Sequence, residues 1–168
     1  MRTALVVMLG LAIALPGAGL PALAAAIDQS WSFVDEQSAA ESPGGRQARA
    51  SIYRGDHLVA VRCHDDHAER WESLLVGATW FGHPKARLTF TLSVDGRPPI
   101  ELDFRRETDY RFAASDPPKA LLQAMMDGSS LTIGGADFVG DPVVVPLSGS
   151  RDALTKAFAL CGYDPIGD

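Results

Sequence analysis

The feature that most constrains the fold is a strict alternation of apolar and polar residues on both sides of a turn. The apolar positions are Leu88, Phe90, Leu92 and Val94 before the turn, and Ile100, Leu102 and Phe104 after it. Between them, Asp95-Gly96 supplies residues that tolerate the positive φ angles of a tight hairpin turn. Because successive side chains on a strand point to opposite faces, this pattern predicts an antiparallel hairpin with one buried and one polar face.

The rest of the chain predicts more short strands and two helices. Strands are expected at residues 31–34, 48–53, 58–63, 69–76, 110–112, 131–133 and 143–145. One helix should begin at Pro117-Pro118 and end before Gly128, and a second should run from Ser150, as its cap, to Cys161. We therefore predict a mainly β (α+β) fold, an antiparallel β-sandwich or strongly twisted sheet with two short helices, one at the C-terminus.

The N-terminal residues have the pattern of a cleaved signal peptide. Arg2 precedes an apolar run of about 12 residues, and a small-x-small site, Ala22-Leu23-Ala24, follows. A membrane-spanning helix needs roughly 20 apolar residues, so stable membrane insertion is not expected after cleavage. We predict a signal peptide over residues 1–24, with cleavage after Ala26 as the competing choice, and one β-rich domain over residues 25–168 in the periplasm or outside the cell.

Two cysteines, Cys63 and Cys161, remain after this leader. In an exported chain an even number of cysteines indicates a disulfide. Cys63 lies on the apolar side of the strand at 58–63, and Cys161 lies on the apolar face of the last helix. We predict a bond between them that closes a loop of nearly a hundred residues, with a chain-entropy contribution of about 4–5 kcal/mol as an upper figure.

The charge of the chain limits its partners. The sequence has 15 Lys and Arg against 21 Asp and Glu, a formal net charge of −6, and the leader contributes only Arg2 to this balance. An acidic protein has no general attraction for phosphate backbones or for anionic lipid. Nucleic acid is therefore not expected as a partner, and an unknown envelope or secreted protein is.

Several features occur in the same order in a known group of exported proteins. Trp31 lies near the mature N-terminus, the strand with Cys63 and the hairpin follow, and residues 145–149 lead into the helix that carries Cys161. In this order the chain resembles the VasI-like proteins, which are associated with type VI secretion, and more loosely the invasion-associated locus B proteins of the envelope. The resemblance implies a periplasmic, non-enzymatic accessory or binding role.

The densest group of metal-ligand types is His64-Asp65-Asp66-His67. Histidines three residues apart, with Asp66 between them, are weak candidates for a transition-metal site. No second segment is marked as supplying further ligands, so a solvated turn is the favoured interpretation. No cofactor is predicted.

Two other segments are candidates for recognition. Trp80 and Phe81 stand beside glycine and proline, and aromatic residues are enriched in interface anchors, although a core position for either is the more common outcome. Arg105, Arg106 and Arg111 form the basic concentration of the chain, which suggests an acidic ligand or simply a solvated strand face.

No motif marks a catalytic site. Residues 147–150, Leu-Ser-Gly-Ser, lack the G-x-S-x-G pattern of a nucleophile elbow. The cysteines lack the C-x-x-C spacing of redox proteins. We expect a non-enzymatic accessory or binding protein; the alternatives are an inhibitor or immunity-type protein, or a secreted hydrolase with an unmarked site.

Overall fold

The computed structural model describes residues 30–36, 46–65, 70–77 and 85–162. The predicted signal peptide, residues 1–24, lies outside them and stays a prediction. The described residues form nine strands and two helices. The strands are β1 (Ser32–Asp35), β2 (Arg46–Arg54), β3 (His57–Asp65), β4 (Arg70–Gly77), β5 (Arg87–Val94), β6 (Ile100–Thr108), β7 (Arg111–Ser115), β8 (Ser130–Gly134) and β9 (Val143–Pro146); the helices are α1 (Lys119–Asp127) and α2 (Ser150–Leu160).

All nine strands belong to one sheet with the order β1-β2-β3-β4-β7-β6-β5-β8-β9. Every neighbouring pair is antiparallel. The predicted hairpin is β5 and β6, in which Leu88 faces Phe104 and Phe90 faces Leu102. Asp95 and Gly96 adopt φ angles of 50° and 70° at its turn. The prediction of a mainly β fold with two short helices, one near the C-terminus, is confirmed.

The two edges of this sheet approach each other. Trp31, directly before β1, donates its backbone N–H to Ser148 O at 3.1 Å and its indole N–H to Pro146 O at 3.0 Å. Pro146 ends β9, so the first and last strands of the sheet meet through these two bonds. The sheet therefore curls around the core, and the buried indole N–H is satisfied, as a buried tryptophan requires.

The helices fill the inside of the curled sheet. α1 buries Leu121, Leu122, Met125 and Met126, and α2 buries Ala153, Leu154, Ala157 and Phe158. These side chains join the apolar faces of the strands in one core. At its C-terminal end α2 is bonded covalently to the sheet, because Cys161 forms a disulfide with Cys63 of β3. The predicted pairing is confirmed, and both cysteines are buried.

The role predicted for Ser150 as a helix cap is wrong. Gly149, with a φ of 79°, stands at the N-cap position, and Ser150 is the first residue of α2. The Ser150 hydroxyl instead donates to Met125 O at 2.7 Å in a buried setting. It satisfies a carbonyl near the end of α1, so this serine joins the two helices rather than capping one.

Candidate binding surface

The face of the sheet that points away from the helices carries the polar residues of the alternation, and we call it the outer face. On this face Ser51 lies opposite Ala60, and Arg62 lies opposite Ser73. A two-sided sheet normally leaves such a face to solvent. Ser51, Ala60 and Ser73 are nevertheless 3% exposed or less. Part of the outer face is therefore shielded from solvent.

A small apolar patch on this face consists of Leu58, Ala60 and Ala113. Arg62 on β3 donates through Nη2 to Glu107 Oε1 on β6 at 2.6 Å. Two strands, β4 and β7, lie between them. A flat sheet would separate these backbones by about 14 Å across the strands alone. The ion pair therefore bridges β4 and β7 on the outer face, next to the apolar patch.

Ser73 contributes an unusual polar group to the outer face. Its hydroxyl is buried and forms no hydrogen bond with any residue that the structure describes. Its direct cross-strand neighbours are Arg62 and Ser115. Because a buried hydroxyl without a partner costs about 1–3 kcal/mol, the Ser73 hydroxyl lowers the stability of the domain.

Three exposed arginines lie on the outer face, and we call them the arginine cluster: Arg87, Arg105 and Arg111. Arg87 and Arg105 are direct cross-strand partners in the β5–β6 hairpin. Arg105 lies opposite Ala113 of β7. Arg111 comes two residues before Ala113 on the same strand and is therefore the diagonal neighbour of Arg105. Side chains at such positions are within contact range of each other. None of the three forms an ion pair with a described residue.

The carboxylates near the cluster are engaged elsewhere or lie beyond ion-pair distance. Glu107 is paired with Arg62. Asp103 accepts a hydrogen bond of 2.7 Å from the Thr89 hydroxyl. Asp109, in the turn before β7, makes no ion pair with the described part of the cluster. The three guanidinium groups therefore lie together without a direct carboxylate partner among the described residues, on a chain that is acidic overall.

Arg106 does not belong to this cluster, although it follows Arg105 in the sequence. It faces Phe112 across the strands, and its guanidinium carbon lies 5.7 Å from the centre of that buried ring. Its Nη2 donates to Lys85 O at 2.9 Å. Alternation along β6 thus turns Arg106 toward the core, where it stacks and closes the end of the sheet.

The remaining candidate residues divide between the described and the undescribed parts. His64 lies on β3 and is 9% exposed. Asp66 and His67, its proposed co-ligands, lie outside the described residues, as do Trp80 and Phe81. Among the residues that the structure describes, no three metal-ligating side chains come together. No described helix has the length and apolar character that crossing a membrane requires.

Sequence reasoning found two of the three arginines in the cluster and missed Arg87. The signal was present, because placing the apolar faces of the hairpin in contact pairs Leu88 with Phe104 and hence Arg87 with Arg105. Ser73 carried no such signal. Its burial depends on how the outer face curves, which no local pattern encodes.

Comparisons of the chain with models of protein families, with curated proteins and with solved structures found no match.

Proposed function

We propose that this protein is an exported, disulfide-stabilised, non-enzymatic binding or accessory protein of the bacterial envelope that recognises its partner through the outer face. The periplasm is the proposed compartment, and the secretion-system association implied by the resemblance to VasI-like proteins is part of the same proposal. The observation that carries it is the arginine cluster. Three exposed arginines lie together without ion-pair partners among the described residues.

The arginine cluster lowers the free energy of unfolding of the sheet. Arg87 and Arg105 lie directly opposite each other, and like charges in this relation are destabilising. Proteins break such local rules most often where a site serves function rather than folding. A ligand with negative charge would remove the repulsion on binding, and this favours recognition of an acidic group.

The disulfide supports export. Cys63 and Cys161 are both 2% exposed and join a central strand to the last helix. Structural disulfides persist in oxidising compartments and are rare in the cytosol of mesophiles. Together with the leader-like residues 1–24, this favours the periplasm. Mass spectrometry of the protein from cells should show a mature chain that begins at Ala25.

A binding experiment with envelope extracts tests the proposal. The oxidised mature protein is immobilised and compared with R105A/R111A and with R97A/K156A. Arg97 lies beyond the hairpin turn and Lys156 on α2, so this second variant loses the same charge away from the cluster. We expect wild type and R97A/K156A to retain a common envelope protein that R105A/R111A loses. Equal retention by all three variants would refute a role for the outer face.

A further inference from the structure

The arginine cluster continues into an apolar and aromatic row across the outer face. The direct cross-strand partners are Tyr53 on β2, Leu58 on β3, Gly77 on β4 and Arg111 on β7. Tyr53 is 57% exposed, whereas Leu58 is 6% exposed. A Cβ atom on Gly77 would lie 3.2 Å from Leu58 Cβ, so the glycine gives Leu58 the room to pack there. The row therefore runs from an exposed aromatic ring, over a closed apolar floor, to a cationic end.

The dimensions of this row suit a short extended segment. Three strand spacings of about 4.8 Å place Tyr53 about 14 Å from Arg111. An extended polypeptide covers that distance with about four residues, at roughly 3.3 Å each.

The residue types favour a polypeptide over other anions. Tyrosine and arginine are the residues most enriched in the anchors of protein interfaces. The chain has a net charge of −6, which repels an extended polyanion such as a nucleic acid or an anionic bilayer. A short acidic segment meets only the local positive charge of the cluster.

We infer, building on the proposed function, that the partner presents an extended acidic segment with an aromatic or aliphatic side chain about four residues from its carboxylates. The carboxylates bind Arg105 and Arg111, and bidentate pairing between guanidinium and carboxylate fixes their orientation. The apolar side chain packs against the exposed ring of Tyr53. Ser73, buried beside Arg62, adds a hydroxyl without a described partner to the same outer face.

Synthetic polymers of defined composition test this inference. The oxidised mature protein is titrated with fluorescent poly-L-glutamate and with a random glutamate–tyrosine copolymer of the same length. We expect the copolymer to bind about tenfold more tightly, equivalent to about 1.4 kcal/mol. R105A/R111A should lose at least tenfold toward both polymers. Y53A should reduce copolymer binding to the level of poly-L-glutamate, whereas V144A, which alters an exposed valine on β9, should change neither.

The outcomes separate this inference from the proposed function. Equal affinity for the two polymers would overturn the inference, as would tighter binding to heparin or to phosphatidylglycerol vesicles than to the copolymer. If R105A/R111A still loses its envelope partner in either case, the proposed function stands and only the nature of the ligand is wrong. If R105A/R111A keeps that partner, the outer face is not the binding surface and both ideas fail.

Discussion

The bond between Cys63 and Cys161 can be removed by reduction or by mutation, and the two differ only in whether the sulfur atoms stay in the core. Reduction breaks the crosslink but leaves both sulfur atoms in the core. The double variant C63A/C161A breaks the crosslink and also removes the sulfur atoms, which are buried between β3 and the end of α2. Comparing the two therefore separates the effect of the crosslink on the unfolded chain from the packing of the native state.

The expected magnitude follows from the length of the closed loop. The cysteines are 98 residues apart in the sequence. The chain-entropy relation gives about 4.7 kcal/mol at 25 °C for a loop of that length, taken as an upper figure. A domain typically has a free energy of unfolding of about 5–15 kcal/mol. Reduction should therefore remove a large fraction of the stability, and the alanine variant should lose roughly 1–2 kcal/mol more for its lost apolar contacts.

Urea unfolding followed by far-ultraviolet circular dichroism measures this difference. With an m value of about 2 kcal/mol/M, reduction should lower the urea midpoint by roughly 2 M. Adding reductant to C63A/C161A should change nothing, which controls for effects of the reductant itself. A loss of less than about 1 kcal/mol on reducing the wild type would refute the reasoning. It would mean that the crosslink restricts the unfolded chain far less than the chain-entropy relation predicts.

Four further predictions concern single positions. Arg87→Glu should place opposite charges across the hairpin and raise the free energy of unfolding by roughly 0.2–1 kcal/mol. The same change should weaken binding to the envelope partner. A lower melting temperature than that of the wild type would contradict the assigned register. Ser73→Ala should leave the melting temperature unchanged or raise it, because the change removes a hydroxyl without a described partner. A clearly lower melting temperature would show that the Ser73 hydroxyl has a hydrogen-bond partner. Gly128→Ala should cost roughly 1–3 kcal/mol by overpacking, since a Cβ atom there would crowd Val94 Cγ1 and would lie 2.8 Å from Ala124 O and 2.9 Å from Asp95 Oδ2. Its φ of −86° is one that alanine adopts freely, so an unchanged melting temperature would rule out crowding. The hydrogen bond from the Ser129 backbone N–H, with those from Ser130, holds the pKa of Asp95 below its ordinary value of 3.8. The ionised Asp95 therefore stabilises the fold fully above that value, and this contribution is lost as the pH falls through the lowered pKa. Asp95→Asn should be less stable than wild type at pH 7, and denaturation curves taken at falling pH should show the difference disappearing below pH 3.8.

Local patterns predicted most of the elements. The alternation around Asp95-Gly96 predicted the β5–β6 hairpin, because one buried face requires a period of two. Proline before α1 and glycine after both helices predicted where those helices would lie. The inward-facing positions of Cys63 and Cys161 followed from the same periodicities, and in combination with the leader they predicted the disulfide.

The outer face was much less predictable. Arg105 and Arg106 are neighbours in the sequence, yet one lies in the arginine cluster and the other stacks on Phe112 at the edge of the core. A register shift between Arg106 and Thr108 also displaces Glu107, which pairs with Arg62 from a strand three places away in the sheet. Such juxtapositions depend on which strands pair, and that is a long-range property.

By itself the sequence determined the hairpin, the helix faces and the inward direction of both cysteines, because each depends on the repeat of side-chain direction within a single element. Only the tertiary structure decided that β4 lies beside β7, that the edges of the sheet meet at Trp31, and that Arg87, Arg105 and Arg111 share one surface. Strand order and curvature come from burying all the apolar faces together, and no local segment contains that information.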